Sequence, residues 1–259
     1  MKIFIRRVIK NIYSFIAKCL VKSNNIKVIV VFGARSSDIC VEAIYSVLNE
    51  KGLRVKRSYL GFEKDLDFAN FVATPWENYT FLHFLYALVT FPIIYFFKIY
   101  NNLYLIVDVS TVSSSVCKYY TKFLQPEVCV FLDTTISSVV FQNKIIEESA
   151  DDSKIIVFGD SRKKELLNFD FKRKFLTFGE NIQNTLSYSK VSEKSIHVLY
   201  NGQFIDFDNN FADLDLKIIA AAILASIIMG VPFEQAVHNI CKFQMPHKGF
   251  QRIFEKFKQ

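Results

Sequence analysis

Four short apolar runs punctuate the first 160 residues of the chain, at 28–32, 103–109, 128–132 and 154–158. Each is rich in β-branched or aromatic side chains and weak in polar alternation, which suits parallel strands covered on both faces. Between them apolar positions recur at helical spacing, over 39–51, about 79–99, 114–124 and 142–148. Strands alternating with helices predict an α/β fold, a mostly parallel sheet with helices on both faces. After Arg162 the texture changes. Residues 174–178, 186–190, 195–200 and 203–207 read as short strands, and Asn201-Gly202 between the last two is a type I′ hairpin dipeptide. A small antiparallel sheet over about 174–207, attached to the edge of the main one, is expected. Residues 214–229 form an almost uninterrupted apolar helix closed by Gly230, expected at the centre of the fold. A second helix over 232–242 opens on Pro232, a favourable early position.

Two further segments are greasy in a different way. In residues 1–22, Ile5, Val8, Ile9, Ile12, Phe15, Ile16 and Cys19 can share one helical face, with Lys2, Arg6, Arg7, Lys10, Lys18 and Lys22 around it. Such a helix fits an anionic membrane surface, where each basic residue adds about 1 kcal/mol. It equally fits a helix packed on its own domain, and periodicity does not separate the two. Basic residues interrupt the apolar stretch, and no A-x-A-like cleavage site follows, so a signal peptide is disfavoured. Residues 80–97 carry no formal charge apart from His83 and contain Pro92. Their length only reaches the lower end of the roughly 17–25 residues that span a bilayer. The expected role is a long helix over one face of the sheet, kinked at Pro92.

Composition sharpens this picture. At 259 residues, with 51% hydrophobic and 15% aromatic residues, the chain has ample material for a core, and membrane contact must be weighed. The net charge of +7 is uneven: residues 1–22 hold six basic residues and no acid, whereas the rest is nearly balanced. The basic balance therefore belongs to one helix and gives no sign of a nucleic-acid-binding surface. Five cysteines without CxxC spacing read as reduced core residues of a cytoplasmic protein, and the four histidines show no zinc-ligand spacing with them.

The chemistry should centre on residues 26–48. They form a β-run, Gly33, a short polar turn and an amphipathic helix, the strand–loop–helix layout of a phosphate-binding loop. Candidate nucleotide-binding positions are Gly33, Ala34, Arg35, Ser36, Ser37 and Asp38. A working loop needs a second glycine, a phosphate-binding lysine and a hydroxyl for Mg²⁺. Ser36, Ser37 and Asp38 stand in those three places, and Asp38 sets a negative charge where phosphate would sit. Cys40 opens the following helix, where the helix dipole favours a thiolate, but packing within the helix is the commoner fate. Ser113, Ser114 and Ser115 lack a G-x-S-x-G elbow and read as a loop and helix cap.

The order of these features resembles the central, ATP-binding domain of the Mur ligases, ATP-dependent ligases of peptidoglycan precursors, in the branch that adds D-alanyl-D-alanine. Gly33 with Glu42-Ala43-Ile44-Tyr45 is similar to the family's loop and helix, and Leu105-Ile106-Val107-Asp108-Val109 to its strand ending in an acidic Mg²⁺ ligand. Gln125-Pro126-Glu127-Val128-Cys129-Val130, Leu176-Thr177-Phe178-Gly179, Ile219-Ala220-Ala221 with Met229-Gly230-Val231-Pro232, and Met245-Pro246-His247-Lys248-Gly249 resemble further family segments in order. The resemblance implies ATP and Mg²⁺ as cofactors, with Asp108 as metal ligand. It also implies that separate amino-terminal UDP-binding and carboxy-terminal domains are absent here, leaving residues 23–259 as the central domain behind a basic helix.

The departures imply weak or lost nucleotide binding. The Gly-x-x-Gly-Lys-Thr loop keeps only Gly33. The family histidine falls near Val139 and Val140, and a paired-acid turn reduces to Asp160 beside Ser161, after Phe158. Phe250 replaces an arginine, with Arg252 two positions late. The expected function is a Mur-ligase-like pseudoenzyme acting by binding, to a cell-wall ligase or to the inner membrane face through residues 1–22. Alternatives are an active ligase completed by a partner chain and a membrane-associated structural protein.

Overall fold

The central strand, β1 (Lys27–Phe32), is buried over all but its first residue, because it has a strand on either side and a helical layer on each face. The computed structural model describes residues 2–33, 37–57, 81–109, 124–132, 143, 145–147, 149–160, 175–192, 195–208 and 216–243. Expectations that fall elsewhere, including those for Ala34, Arg35, Ser36, 113–115, 139–140, Ser161 and 245–252, lie outside the described residues. In chain order the other strands are β2 (Val55–Arg57), β3 (Tyr104–Asp108), β4 (Val128–Phe131), β5 (Lys154–Phe158), β6 (Phe175–Gly179), β7 (Leu186–Ser192), β8 (Ser195–Tyr200) and β9 (Gln203–Asp208). They form one nine-stranded sheet in the order β2-β3-β1-β4-β5-β6-β7-β8-β9. Pairing is parallel from β2 to β7 and antiparallel from β7 to β9.

The expected fold class is what forms, with one correction in the second half. The strand near 174–178 is not part of the antiparallel end. It is β6, parallel to β5 and a full member of the main sheet. The antiparallel strands continue that sheet rather than making a separate one. β6 and β7 run parallel although few residues join them, where a parallel pair ordinarily needs a crossover of a dozen residues or more. Stagger resolves this: only Phe178 with Leu186 and Gly179 with Ser187 are paired, so the chain steps sideways and continues in the same direction. The β8–β9 turn is as expected, with Asn201 at φ 49° and Gly202 at φ 79°, the left-handed pair of a type I′ turn.

Alternation along the strands builds two cores. On one face Ile29, Val31, Ile106, Val130 and Ile156 meet three helices: α2 (Ser37–Glu50), α4 (Leu216–Ile228) and α5 (Phe233–Cys241). α4 is buried from Ile218 through Ser226, the central helix its composition implies, and its small residues let α2 lie close. It ends in a Schellman arrangement: Gly230, at φ 92°, donates to the Ile227 carbonyl and Val231 to that of Ser226. Pro232 then caps α5, one position before the helix proper.

The other face holds Val28, Val30, Phe32, Leu105, Val107, Cys129 and Val157. Its helices are α1 (Lys2–Ser23) and α3 (Phe81–Phe97). α1 sends Ile16 and Leu20 into this core, whereas Val8 and Phe15 point outward with Lys18 and Lys22. The predicted single apolar face is therefore divided between core and exterior. α3 runs on through Pro92 and lies beside α1, and of its described side chains only Ile94 is buried. It covers much less of the sheet than expected.

Candidate functional site

β1 is the strand at which the chain changes direction across the sheet: β2 and β3 lie to one side, β4 and β5 to the other. In α/β sheets ligands bind outside the carboxyl ends of the strands at such a switch point. Main-chain bonds tighten the position. Val109 donates to the Val31 carbonyl at 3.1 Å and Leu132 to that of Phe32 at 2.9 Å, so β3 and β4 clasp the end of β1 just before Gly33. On one side the rings of Phe32 and Phe131 stack at 4.8 Å and 13°, and both are buried.

On the opposite face stands Asp108, the last residue of β3. It is paired in register with Val31 and 4% exposed. Alternation gives it the face of Tyr104 and Ile106, the one on which α2 lies. Gly33 follows β1 and Asp108 ends the neighbouring β3, in register with Val31. Ser37, the first residue of α2, is buried, and Asp38 follows in its first turn. The Asp38 carboxylate accepts the Ile39 N–H at 2.9 Å. A helix start offers free N–H groups and the positive end of its dipole to an anion. Here an acid of the chain itself occupies part of that offer.

Two further titratable groups lie close by on α2. Burial pushes the Cys40 thiol far up, and the Asp108 carboxylate pushes it further in the same direction. Cys40 lies wholly inside the core beneath α2, so desolvation opposes the dipole and favours the protonated thiol. Glu42, one turn on, is raised above the ordinary carboxylate range mainly by burial and also by Asp38, while Arg57 acts against both. The Arg57 Nε lies 2.6 Å from Glu42 Oε1, and its guanidinium sits 3.4 Å from the centre of the Tyr45 ring. Arg57, at the end of β2, therefore clamps this strand to α2. Lys217, at the start of α4, lies over the ring of Phe158 at the end of β5, 4.4 Å from its centre.

Asp160 has a role that its motif position did not reveal. It follows β5 and reaches to the connection between β6 and β7. Its carboxylate accepts from the backbone N–H of Glu180, from that of Asn181 at 3.2 Å and from the Asn184 side-chain amide at 2.8 Å. Two glycines give these polar side chains their room. A Cβ on Gly159 would fall 1.8 Å from the Asn184 Oδ1, and one on Gly179 would meet the Asp160 carboxylate. Asp160 thus pins the sideways step of the sheet.

The described part of the loop presents Gly33, a buried serine and an aspartate whose carboxylate holds the N–H of the next residue. No lysine occurs in residues 33–38. Asp108 retains chemistry suited to a hard cation such as Mg²⁺, which takes oxygen ligands. Among the described residues, no group of three or more His, Cys, Asp or Glu is arranged to hold a metal.

Switch point, strand order and antiparallel extension together define the Mur ligase fold, and comparison with solved structures bears this out. No family profile matches the chain, and no curated protein sequence does. The chain is similar to MurF from Acinetobacter baumannii, with a TM-score of 0.68, 14% identity, and coverage of 92% of this chain and 51% of that one. MurF from Thermotoga maritima, solved in complex with ADP, gives 0.65 and 13%, over 92% and 53%. A pseudomurein peptide ligase type C from Methanothermus fervidus gives 0.62 and 12%, over 86% and 50%. The chain spans about half the length of these structures.

Proposed function

We propose that this chain is a Mur-ligase-like domain that acts by binding and does not turn over ATP. One observation carries the reading: in the first turn of α2, where a phosphate would need free N–H groups, the Ile39 N–H is taken by the Asp38 carboxylate. The lack of any lysine in residues 33–38 supports it. Phosphoryl transfer depends on positive charge arranged around the phosphates. Removing one well-placed electrostatic group of this kind typically lowers a rate by about 10²–10³. Here the lysine, the hydroxyl and the second glycine are all replaced. The partner class that fits the scaffold is a ligase of cell-wall precursors.

The burial of Asp108 at the switch point favours a second reading, an ATP-dependent ligase whose phosphate chemistry is completed by a partner chain. Calorimetry of the purified chain with ATP, with and without Mg²⁺, separates the two. The first reading expects no saturation at millimolar nucleotide and no change in Asp108→Ala. Micromolar binding that requires Mg²⁺ and disappears in Asp108→Ala would establish the second.

A further inference from the structure

We infer that α1 and α3 together form a docking surface for an anionic lipid bilayer, with α3 supplying the apolar face and α1 the charge. This stands apart from the nucleotide question. Among the described residues, most exposed large hydrophobic side chains lie on these helices and the turn after α3. Val89 is 69% exposed, Phe96 76% and Phe97 77%, with Leu85, Leu88 and Ile93 also open. At 3.6 residues per turn the exposed positions of α3 cover an arc of roughly 200°. The 81–97 sequence puts no Asp, Glu, Lys or Arg on it. A surface helix of a globular protein carries charged and polar residues there instead.

The helix is anchored at its end and rests on α1 and the core through one side. The buried Asn24 accepts from the Tyr100 N–H at 3.1 Å through its side chain and from the Asn102 N–H at 3.2 Å through its carbonyl. Arg54 donates to the carbonyls of Ile99, at 2.9 Å, and Asn101. α3 is thus fixed to the sheet by its carboxyl-terminal turn while its outer arc meets solvent.

Charge chooses among occupants. The 22 residues of α1 hold six basic residues and no acid, and Lys18 and Lys22 are exposed beside the outward Phe15. A second copy docking here would bring two such helices together, like charge against like. A groove in a partner protein reads a narrow i, i+3, i+4, i+7 stripe, much less than this arc. Anionic headgroups match the basic helix, and exposed Tyr86 and Tyr95 among phenylalanines suit the headgroup boundary. No helix among the described residues is long and apolar enough to cross a membrane. At 1.5 Å per residue α3 reaches about 26 Å, short of a hydrocarbon core of about 30 Å. The geometry is therefore insertion into one leaflet, with the helix lying in the interface.

Flotation of the full chain with vesicles tests this, using phosphatidylcholine alone or mixed with phosphatidylglycerol. The chain should float with the anionic vesicles, much less with the neutral ones, and less as salt rises. Phe96→Ser with Phe97→Ser should lower the partition roughly tenfold or more, and Lys18→Gln with Lys22→Gln several-fold. Circular dichroism verifies folding of each variant, and Val89→Ser is the alternative should the double serine variant misfold. A chain that stays in solution with both vesicle types overturns the inference. So does flotation indifferent to lipid charge and to these substitutions, or a dimer abolished by the serine variants without any flotation.

Discussion

The two faces of the sheet are made from the same strands and finished in opposite ways. On the face of Ile29 and Val31, three helices bring small and branched side chains into a dry layer, with residues 218–226 of α4 wholly buried. On the face of Val28 and Val30, the strands are equally buried, yet α3 turns most of its described apolar side chains away from them. The strands alone do not reveal this difference, since both faces alternate into apolar cores. The lesson is that apolar content becomes stability only where a second layer receives it; on α3 it is left available for something outside the molecule.

Substitutions that separate the faces should differ most. Phe178→Ala, in the three-helix core and fully buried, should cost about 3–5 kcal/mol by cavity formation, measured by urea denaturation. At the step of the sheet, Asp160→Ala removes the acceptor for three donors of the β6–β7 connection and should cost about 1 kcal/mol, with the loss confined to hydrogen exchange at β7–β9. Uniform loss of protection across the sheet would contradict the pinning role.

pH offers a finer test. Glu42 has a folded value above its ordinary one, so it binds its proton more readily in the folded chain. Its contribution is fully present below the ordinary carboxylate value and is lost as pH rises through the raised folded value. Glu42→Gln should remove that decline from a plot of stability against pH, and an unchanged slope would show that Glu42 is not its source. Cys40, with its thiol pushed far up, should resist alkylation at pH 8 in the native chain and react only on unfolding. Smallest of all, Phe97→Ser should leave stability within about 0.5 kcal/mol, since the ring touches solvent. A loss like that of Phe178→Ala would erase the contrast between the faces.

Much of the scaffold was legible because its strands are short β-branched runs and its central helix is apolar throughout. β2 was not, since Val55-Lys56-Arg57 is three residues with no periodicity and gains its identity only by pairing with β3. The parallel direction of β6 was hidden for another reason: the stagger that allows a short connection depends on Asp160, some twenty residues away from the loop it holds. At the site, the resemblance pointed to the ends of β1 and β3, which are neighbours in the sheet. The bond from the Ile39 N–H to Asp38 is local, and an acid in a first turn is favoured by the helix dipole. Periodicity left α1 undecided because its answer is divided, with Ile16 and Leu20 inward and Val8 and Phe15 outward.

The hairpin of β8 and β9 has a consequence for self-association. A long sheet ends in an unsatisfied row of peptide groups that can recruit further strands. Asp206 and Asp208 stand on the outermost strand, one of them 2.6 Å from the His197 imidazole, so an incoming chain would have to strip water from carboxylates to extend the ladder. Charged side chains on a terminal strand disfavour fibrous growth, and Asp206 and Asp208 place two carboxylates on this one.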